Sequence, residues 1–596
     1  MKKYLLSTIL PSLAFIALVQ TAMSPNRRLT LVEKDSTIAL CCEGRQVVEI
    51  AGAPKGSLTF VRTLKEDYTM LSGKRLHCSN EANEYVVKAP DGQLELRLYN
   101  DGLAFRTSRP REMAYLIPEG TRRWMMQWTD AYEGFFPLST TYRVEPVPSF
   151  SGVVKSAEGW NVRWAYPALL EPADGLFALI SEANVEHGQS ASSLYNDGEY
   201  YRIVPDKATE QSPYNVDHSP FRVVIVGSLA DIVQSTLITD VSEPCRLEDV
   251  SWIHPGTVSW VYWAYNHGSN DYNIIKKYVD MAVTLRLPYV LIDAEWDEMK
   301  DGKTIEDAVS YALSQGVRPL IWYNSSVGWI DGAPGPKFRL NKPENREREF
   351  AWCEKIGVAG VKIDFFSGDN QMNMDYCLDL LESAARHHLL VNFHGATIPR
   401  GWQRTYPNLL TTEAVYGAEW YNNVPTFTDR AARHNATLPF TRNVIGPMDY
   451  TPCTFSDSQH PHITTNAHEL ALTVLYESGL QHLADRPESY LAQPAEVQQF
   501  LSRLPTVWDE TRFVSGYPGE YAVLARRHGA TWYVAGINGT DQVKEIPLDR
   551  LPSAGRQAQF FLDGNASPWD IHTTNSDALS ASITCQPRGG FTIVIQ

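Results

Sequence analysis

The feature of this sequence that most restricts its fold is a regular alternation of apolar strands and amphipathic helices from residue 256 to about residue 505. Helix-period apolar faces occur at 272–286, 345–356 and 375–388. Eight runs before, between and after these helices predict buried strands, the last two with a weaker pattern: 258–265, 289–296, 317–324, 358–366, 389–395, 408–416, 438–445 and 479–483. Eight such units within about 250 residues are typical of a (β/α)8 barrel.

Both flanks of this region carry the period-two pattern of strands that are buried on one face. Before residue 250, alternating runs such as 93–99 are separated by Asn-Asp-Gly turns, and similar runs return after residue 515. We therefore predict a multidomain fold with a central (β/α)8 barrel between a large N-terminal β-sandwich and a small C-terminal β-sandwich. The predicted boundaries are 25–250, 251–510 and 511–596.

The first residues have the order of a secretory signal. Lys2 and Lys3 precede an apolar run at 5–19, and small residues follow it, so we predict a signal peptide at 1–24. The run contains Pro11 and is shorter than the about 20 residues that a spanning helix needs. We therefore expect a periplasmic or secreted protein without a membrane span.

Charge and composition narrow the possible partners. The 53 Lys and Arg residues face 69 Asp and Glu residues, and the resulting net charge of −16 disfavours nucleic acid. The chain also holds 16 Trp and 29 Tyr residues, whose flat rings suit the apolar faces of sugars. Its eight Cys residues include no CxxC pair, so the sequence predicts neither a zinc site nor a disulfide framework.

Acidic residues gather at the ends of the predicted barrel strands, where barrel enzymes hold their catalytic groups. Asp293 and Glu295 end the second strand, Asp364 ends the fourth, and Glu413 and Glu419 follow the sixth. Carboxylates that point into one mouth repel each other unless a cation, a lysine or a substrate compensates them. This clustering is the main functional signal in the sequence.

Other residues near these strand ends have both a structural and a functional interpretation. Lys362 lies two residues before Asp364, and His394 ends the fifth strand, where a histidine often serves only as a structural donor. Trp260 and Trp263 on the first strand could fill the barrel or could support a sugar ring. Asp364 itself could cap the following helix, and the glutamates could be solvated loop charges.

At these residues the sequence resembles glycoside hydrolase family 97. The matching segments extend over nearly the whole chain and occur in order: YEG at 132–134, SPFR at 219–222, SEPC at 242–245, SWIHPG at 251–256, GVKIDF at 360–365, FHGA at 393–396, QRTYPN at 403–408 and GPMDY at 446–450. The resemblance implies an N-terminal β-super-sandwich, a (β/α)8 barrel, a C-terminal β domain and a calcium-dependent, exo-acting glycosidase.

The resemblance also implies roles for particular residues. One branch of the family inverts the anomeric centre with a base on the fifth strand, and the other retains it with a nucleophile on the fourth. Here the fourth strand carries Asp364 and the fifth carries no carboxylate, so the chain is similar to the retaining branch. Asp364 is then expected to be the nucleophile and Glu419 the acid/base. Trp263, Asp293, Lys362 and His394 are candidate substrate-binding residues.

The implied Ca2+ ligands are Glu413, Glu419 and, from the N-terminal domain, Glu133, with Glu182 as a rival for the last position. Retaining members act on α-galactosides, and some accept β-L-arabinopyranosides. The expected partner is therefore an oligosaccharide or glycoside substrate, with β-L-arabinopyranosidase and α-glucosidase activity as alternatives. A non-catalytic carbohydrate-binding protein is the alternative from another class, but it is expected to lack Asp364 or Glu419, and both are present.

Overall fold

The computed structural model describes residues 21–34, 37–142, 163–206, 217–262, 268–422, 425–548, 551 and 557–596. The predicted sugar platform Trp263 and residues 1–20 of the predicted signal peptide lie outside this set, so both stay predictions. The described chain begins with an edge strand at Thr21–Met23. None of the described helices is both long and apolar enough to cross a bilayer.

The N-terminal part consists of two antiparallel sheets, as the period-two pattern predicts. Leu94, Leu96 and Leu98 alternate along one strand and are fully buried. The strands in chain order are β1 (Thr21–Met23), β2 (Leu29–Lys34), β3 (Thr37–Cys42), β4 (Arg45–Ala51), β5 (Leu58–Thr69), β6 (His77–Ala89), β7 (Gly92–Tyr99), β8 (Gly102–Thr107), β9 (Met113–Leu116), β10 (Arg122–Trp124), β11 (Leu138–Ser139), β12 (Arg163–Trp164), β13 (Ala168–Ala173), β14 (Leu176–Ala183), β15 (Ser192–Asp197), β16 (Tyr200–Pro205) and β17 (Phe221–Gly227). Their order is β1-β2-β3-β4-β9-β16-β15-β12 in one sheet and β11-β10-β13-β14-β17-β8-β7-β6-β5 in the other.

Two short helices, α1 (Leu229–Gln234) and α2 (Leu237–Asp240), lead into a parallel sheet that forms the predicted barrel. Its described strands are β18 (Gly256–Trp260), β19 (Tyr289–Ile292), β20 (Arg318–Asn324), β21 (Gly360–Asp364), β22 (Leu390–Phe393), β23 (Leu409–Thr412) and β24 (Leu480–Leu483). Their order, β23-β22-β21-β20-β19-β18-β24, brings the last strand back beside the first and nearly closes the sheet. The barrel prediction is confirmed.

The predicted strand at 438–445 is wrong. This segment forms two 3-10 turns, Leu438–Phe440 and Arg442–Val444. Pro439 has no amide hydrogen to donate to a ladder, and the buried Arg442 donates to the carbonyl oxygens of Thr412, Glu413 and Pro447. The chain after residue 445 lies next to β23 instead: the Asp449 amide donates to the Thr412 carbonyl at 3.0 Å.

The helices predicted within the barrel are present, with small shifts at their ends. The barrel helices are α3 (Tyr272–Leu285), α4 (Ile305–Ser314), α5 (Pro343–Ile356), α6 (Gln371–Arg386), α7 (Trp402–Thr405), α8 (Pro425–Asn435), α9 (Asn466–Leu475), α10 (Pro487–Leu491) and α11 (Ala495–Leu501). Asn370, and not Asp364, caps α6, because its side chain accepts a hydrogen bond from the Asn373 amide. Asp364 is therefore not a helix cap.

A third β unit follows the barrel, as predicted. Its strands are β25 (Glu510–Tyr517), β26 (Tyr521–His528), β27 (Thr531–Asn538), β28 (Lys544–Pro547), β29 (Ala558–Asp563), β30 (Ile571–Ser576), β31 (Ser582–Cys585) and β32 (Gly590–Ile595). Six of them form one sheet in the order β25-β26-β27-β32-β29-β30, and β28 pairs with β31. The unit has a hydrophobic cluster of its own around Val523, Val534 and Phe591.

A buried ion-pair network joins the N-terminal sheets to the barrel. Arg400 precedes α7. Its Nε atom donates to Glu182 Oε1 on β14 at 3.0 Å, and its Nη2 atom lies 3.2 Å from Oδ1 of Asp369, which follows β21. Arg222 pairs with the same Glu182 carboxylate. Because two arginines balance two carboxylates at zero or near-zero exposure, the charges compensate one another inside the interface.

Candidate active site

A cavity opens at the C-terminal ends of the barrel strands and has two lobes. The lysine lobe, of about 600 Å³, is lined by Asp293, Lys362 and Trp322 among others. The glutamate lobe, of about 590 Å³, is lined by Glu133 and Glu413 among others. Five side chains line both lobes and thus mark the place where they meet: Tyr262, Trp329, Asp364, Phe365 and Glu419.

Asp364 ends β21 and is fixed at this junction by two hydrogen bonds. The Trp322 indole donates to its Oδ2 atom at 3.1 Å, and the Phe365 amide donates to its Oδ1 atom at 2.9 Å. Burial raises the pKa of Asp364 above its usual range, and the Lys362 ammonium, 3.9 Å from Oδ2, opposes that rise. A carboxylate with a fixed direction and a cation behind it is suited to nucleophilic attack.

Asp293 and Lys362 form a buried ion pair on the floor of the lysine lobe. The Lys362 ammonium donates to Asp293 Oδ2 at 3.1 Å, and the Trp260 indole donates to the same atom at 2.7 Å. Burial alone lowers the pKa of Lys362, but Asp293 and Asp364 raise it well above its usual range. The pair presents a donor and an acceptor to a ligand, and its hydrogen bonds hold Asp293 in place.

Glu413 and Glu419 extend from the end of β23 and from the 3-10 turn Ala418–Asn422. Burial raises the pKa of Glu419 to about 8, and the neighbouring Glu413 adds to the rise. Burial likewise raises the pKa of Glu133, and both other glutamates raise it further. Three carboxyl groups thus share a site with little solvent. A bound cation, or protons retained on some of them, would relieve the repulsion between their charges.

Glu133 reaches this cluster from the N-terminal sheets, whereas Glu182 does not. The Trp420 indole donates to Glu133 Oε1 at 3.1 Å, and Glu133 lines the cavity. Glu182 is fully buried elsewhere, where it accepts hydrogen bonds from Arg400 and Ser192 in addition to its pairing with Arg222. Of the two rivals, only Glu133 lies beside Glu413 and Glu419.

His394 lies behind the cavity wall, in contrast to its predicted contact with substrate. Its Nδ1 atom is 3.3 Å from Glu413 Oε2 and its Nε2 atom is 2.8 Å from Asp449 Oδ2, and it is 1% exposed. Burial lowers the pKa of His394, but Glu413 and Asp449 raise it well above its usual range. His394 lines neither lobe, whereas Asp293 and Lys362 line the lysine lobe, so the structure places His394 beside Glu413 and not at the cavity surface.

Like Trp322 and Trp329, Asp449 is a residue of this region that the sequence alone does not single out. Its Oδ2 atom accepts hydrogen bonds from Asn392 at 2.7 Å and from His394, and it lies 2.9 Å from His482 Nδ1. Asp449 stands in the GPMDY segment that carries part of the family resemblance, and this segment was the available signal. It was missed because the seventh strand was predicted upstream.

A (β/α) barrel with paired carboxyl groups and an open cavity at its C-terminal face is an arrangement that carbohydrate hydrolases use. Family models agree with this class along the chain. The model described as "Glycosyl-hydrolase 97 N-terminal" matches residues 26–244, "Glycoside hydrolase 97" matches 252–415, and "Glycosyl-hydrolase 97 C-terminal, oligomerisation" matches 507–596. The chain belongs to glycoside hydrolase family 97.

Named relatives and solved structures support this assignment. A probable retaining alpha-galactosidase of Streptomyces bingchenggensis is 35% identical over 79% of this chain and 72% of the relative. A retaining alpha-galactosidase of Bacteroides thetaiotaomicron is 29% identical over 80% of this chain and 78% of the relative. A crystal structure of a beta-arabinopyranosidase is 27% identical, covers 96% of this chain and 100% of that one, and has a TM-score of 0.86. A family 97 enzyme from Pseudoalteromonas sp. strain K8, at 21% identity and a TM-score of 0.80 over 97% of this chain and 100% of that one, shares the fold.

Gly395, two residues after the end of β22, lies close to the Asp364 carboxylate. A Cβ atom at Gly395 would lie 2.8 Å from Asp364 Oδ1 and 2.9 Å from the Phe365 amide nitrogen. We expect Gly395→Ala to displace the Asp364 carboxylate and to lower kcat by at least about tenfold, since a misplacement of about 1 Å can cost up to 100-fold. The measurement is steady-state hydrolysis of a glycoside, with circular dichroism to confirm folding.

The matched control for this test is Gly316→Ala. Gly316 also has a positive φ, +77°, but nothing lies within 4 Å of its added Cβ atom. It therefore carries the backbone strain of about 1–2 kcal/mol without the contact. Equal activity of Gly395→Ala and Gly316→Ala would contradict the idea that Gly395 makes room for Asp364.

Proposed function

We propose that this protein is an exo-acting, retaining glycoside hydrolase that releases terminal α-galactose from oligosaccharides or other glycosides. The observation that carries the proposal is Asp364, a carboxylate held by Trp322 and Phe365 at the junction of the two lobes, with no carboxylate at the corresponding end of β22. Two relatives named as retaining alpha-galactosidases support the choice of sugar.

In the first step, Asp364 would attack the anomeric carbon and form a glycosyl ester. The C–O bond to the leaving group breaks as the new bond forms, and the leaving oxygen takes a proton from Glu419. Without a bound cation, burial and the Glu413 charge raise the pKa of Glu419 to about 8, which is the direction that suits a proton donor near neutral pH. Attack from one face and proton donation at the leaving oxygen require two carboxyl groups about 5–5.5 Å apart.

In the second step, Glu419, now ionised, would take a proton from a water molecule that attacks the ester carbon. Asp364 leaves as a carboxylate, and the Lys362 ammonium, 3.9 Å from its Oδ2 atom, stabilises the returning charge. Because each step inverts the anomeric carbon, the released sugar keeps the configuration of the substrate.

The floor of the lysine lobe supports an exo-acting enzyme. Asp293 and Lys362 are each 3% exposed and hydrogen-bonded to each other, so they can bind ring hydroxyl groups without rearrangement. A buried polar floor holds the terminal sugar, and the remainder of the substrate then extends toward solvent.

A second candidate activity is that of a β-L-arabinopyranosidase. The solved beta-arabinopyranosidase has a TM-score of 0.86 to this chain. Its sugar has the same ring stereochemistry as α-galactose and lacks the hydroxymethyl group, so both fit the same catalytic arrangement. A comparison of nitrophenyl α-galactoside with nitrophenyl β-L-arabinopyranoside, as kcat/KM on the wild-type enzyme, decides between them. Nitrophenyl α-glucoside, measured in the same way, tests the α-glucosidase alternative.

We further propose that Glu133, Glu413 and Glu419 hold a calcium ion. The donors fit, since all three are carboxylates that line one lobe, and Ca2+ takes oxygen ligands in a flexible coordination geometry. His394 Nδ1 and one oxygen of each of Glu413 and Glu419 lie within 4.8 Å of one another, but Ca2+ takes oxygen ligands, so we assign the carboxylates and not the imidazole to the ion. When bound, calcium supplies positive charge that compensates the three carboxylates.

The azide products of two variants test the proposed roles. In Asp364→Ala, azide can occupy the vacated volume and attack directly, so we expect turnover to fall by at least about 1,000-fold without azide and a β-galactosyl azide to form with it. In Glu419→Ala the ester still forms from an activated aryl galactoside, and azide then gives the α-galactosyl azide. Product configuration is read by proton NMR.

The pair of variants serves as its own control, because azide and substrate are the same in both. If Asp364→Ala retains full activity, or if the two variants give azides of the same configuration, the assignment of Asp364 and Glu419 is wrong.

Metal removal tests the calcium site. We expect a chelator to lower both activity and melting temperature, because a ligand that binds only the folded state stabilises it, and calcium to restore both more fully than magnesium. Glu133→Ala is expected to lower the melting temperature in the same direction, and a chelator should then lower it little further. The control is Glu119→Ala, because Glu119 is an exposed carboxylate in the turn between β9 and β10 of the same N-terminal part.

The calcium proposal fails if enzyme shown to be metal-free by elemental analysis is fully active and equally stable. It also fails if the chelator lowers the melting temperature of Glu133→Ala and of wild type by the same amount.

A further inference from the structure

Trp329 is a large apolar side chain that remains exposed beside the proposed nucleophile. It is 52% exposed, although it lines both lobes of the cavity together with Asp364 and Phe365. At a carbohydrate site, an exposed aromatic face matches the apolar face of a sugar ring. Trp329 has no part in the mechanism proposed above.

The loop after β20 holds Trp329 in place. The Trp329 indole donates to the Asp331 carbonyl at 2.7 Å, and the Asn324 amide side chain donates to the Trp329 carbonyl at 3.2 Å. The ring packs edge-on against Phe365, with centroids 4.9 Å apart. The indole is therefore already oriented before a ligand binds, which lowers the entropic cost of using it as a platform.

The same loop is attached to the backbone that follows Asp364. The Gly328 amide donates to the Phe365 carbonyl at 3.0 Å, and a Cβ atom at Gly328 would lie 2.4 Å from that oxygen. The Ser325 hydroxyl donates to the same carbonyl at 2.7 Å. Trp329 thus keeps a fixed position relative to the nucleophile.

We propose that Trp329 is the platform for the leaving group, and that it binds the sugar or aryl ring next to the scissile bond. This inference rests on the proposed function, because it takes Asp364 as the point of attack. The gradient of exposure gives the direction: the floor residues Asp293 and Lys362 are 3% exposed and suit the terminal sugar, whereas Trp329 stands at the solvent rim. The preferred substrates therefore carry a ring, and not a small group, on the leaving oxygen.

The test compares two substrates that deliver the same terminal sugar. One is a galactosyl fluoride, whose leaving group has no ring, and the other is a disaccharide of galactose α-linked to glucose. We expect Trp329→Ala to lower the ratio of kcat/KM for the disaccharide to kcat/KM for the fluoride by about fivefold to tenfold, the effect of one stacking contact. Trp329→Phe should restore most of the ratio.

Trp569→Ala is the matched control. Trp569 is also an exposed tryptophan, at 47%, but it lies in the C-terminal unit and lines neither lobe. If Trp329→Ala leaves the ratio unchanged, either because both substrates slow equally or because neither does, the platform is wrong. Both substrates carry the terminal sugar that the wild-type enzyme cleaves. If that sugar is not galactose, the fluoride and the disaccharide of the correct sugar replace the galactosides, and the comparison stays the same.

Discussion

The position of the whole site depends on the Arg400 network between the N-terminal sheets and the barrel. Arg400 Nη2 donates to the Tyr132 hydroxyl at 2.9 Å, and that hydroxyl donates to Asp369 Oδ2 at 2.5 Å. Tyr132 directly precedes Glu133, and Asp369 follows Asp364 by five residues in the same connection. One buried guanidinium therefore sets the N-terminal glutamate in register with the strand that carries the proposed nucleophile.

This arrangement explains why buried charges are tolerated here. Removing one partner of a buried ion pair typically costs about 3–5 kcal/mol, because the other charge is then left without compensation. The network contains equal numbers of arginines and carboxylates, whereas the adjacent cavity has an excess of carboxylates. The carboxylates of the interface are thus compensated by arginines, whereas those of the cavity are not fully compensated. This difference separates a structural cluster from a site that can take a cation and a glycoside.

Much of the fold follows from the sequence because its strands are buried in two distinct ways. Barrel strands are covered on both faces and read as continuous apolar runs, while strands of the flanking sheets alternate. The exception at 438–445 was apolar for another reason, since it packs as 3-10 turns around the buried Arg442. A single arginine inside an apolar run is weak evidence against a strand when only one sequence is available. In the structure, however, Arg442 marks the place where side-chain hydrogen bonds replace the backbone hydrogen bonds of a β-ladder.

The site was less predictable than the fold. Asp364, Glu413 and Glu419 could be chosen because strand ends of a barrel share one face. The choice between Glu133 and Glu182 could not be made, since both lie in the N-terminal β region and only the tertiary contacts of Arg400 separate them. His394 was expected to face substrate, and its orientation toward Asp449 depends on a segment far along the chain.

The central claim is that Asp364 forms a covalent ester with the sugar, and the stereochemistry of hydrolysis tests it most directly. Proton NMR recorded during the first turnovers of an α-linked galactoside, before mutarotation, identifies the anomer that is released first. A two-step reaction through Asp364 predicts α-galactose. Release of β-galactose first would mean a single displacement by water, and Asp364 would not be the nucleophile.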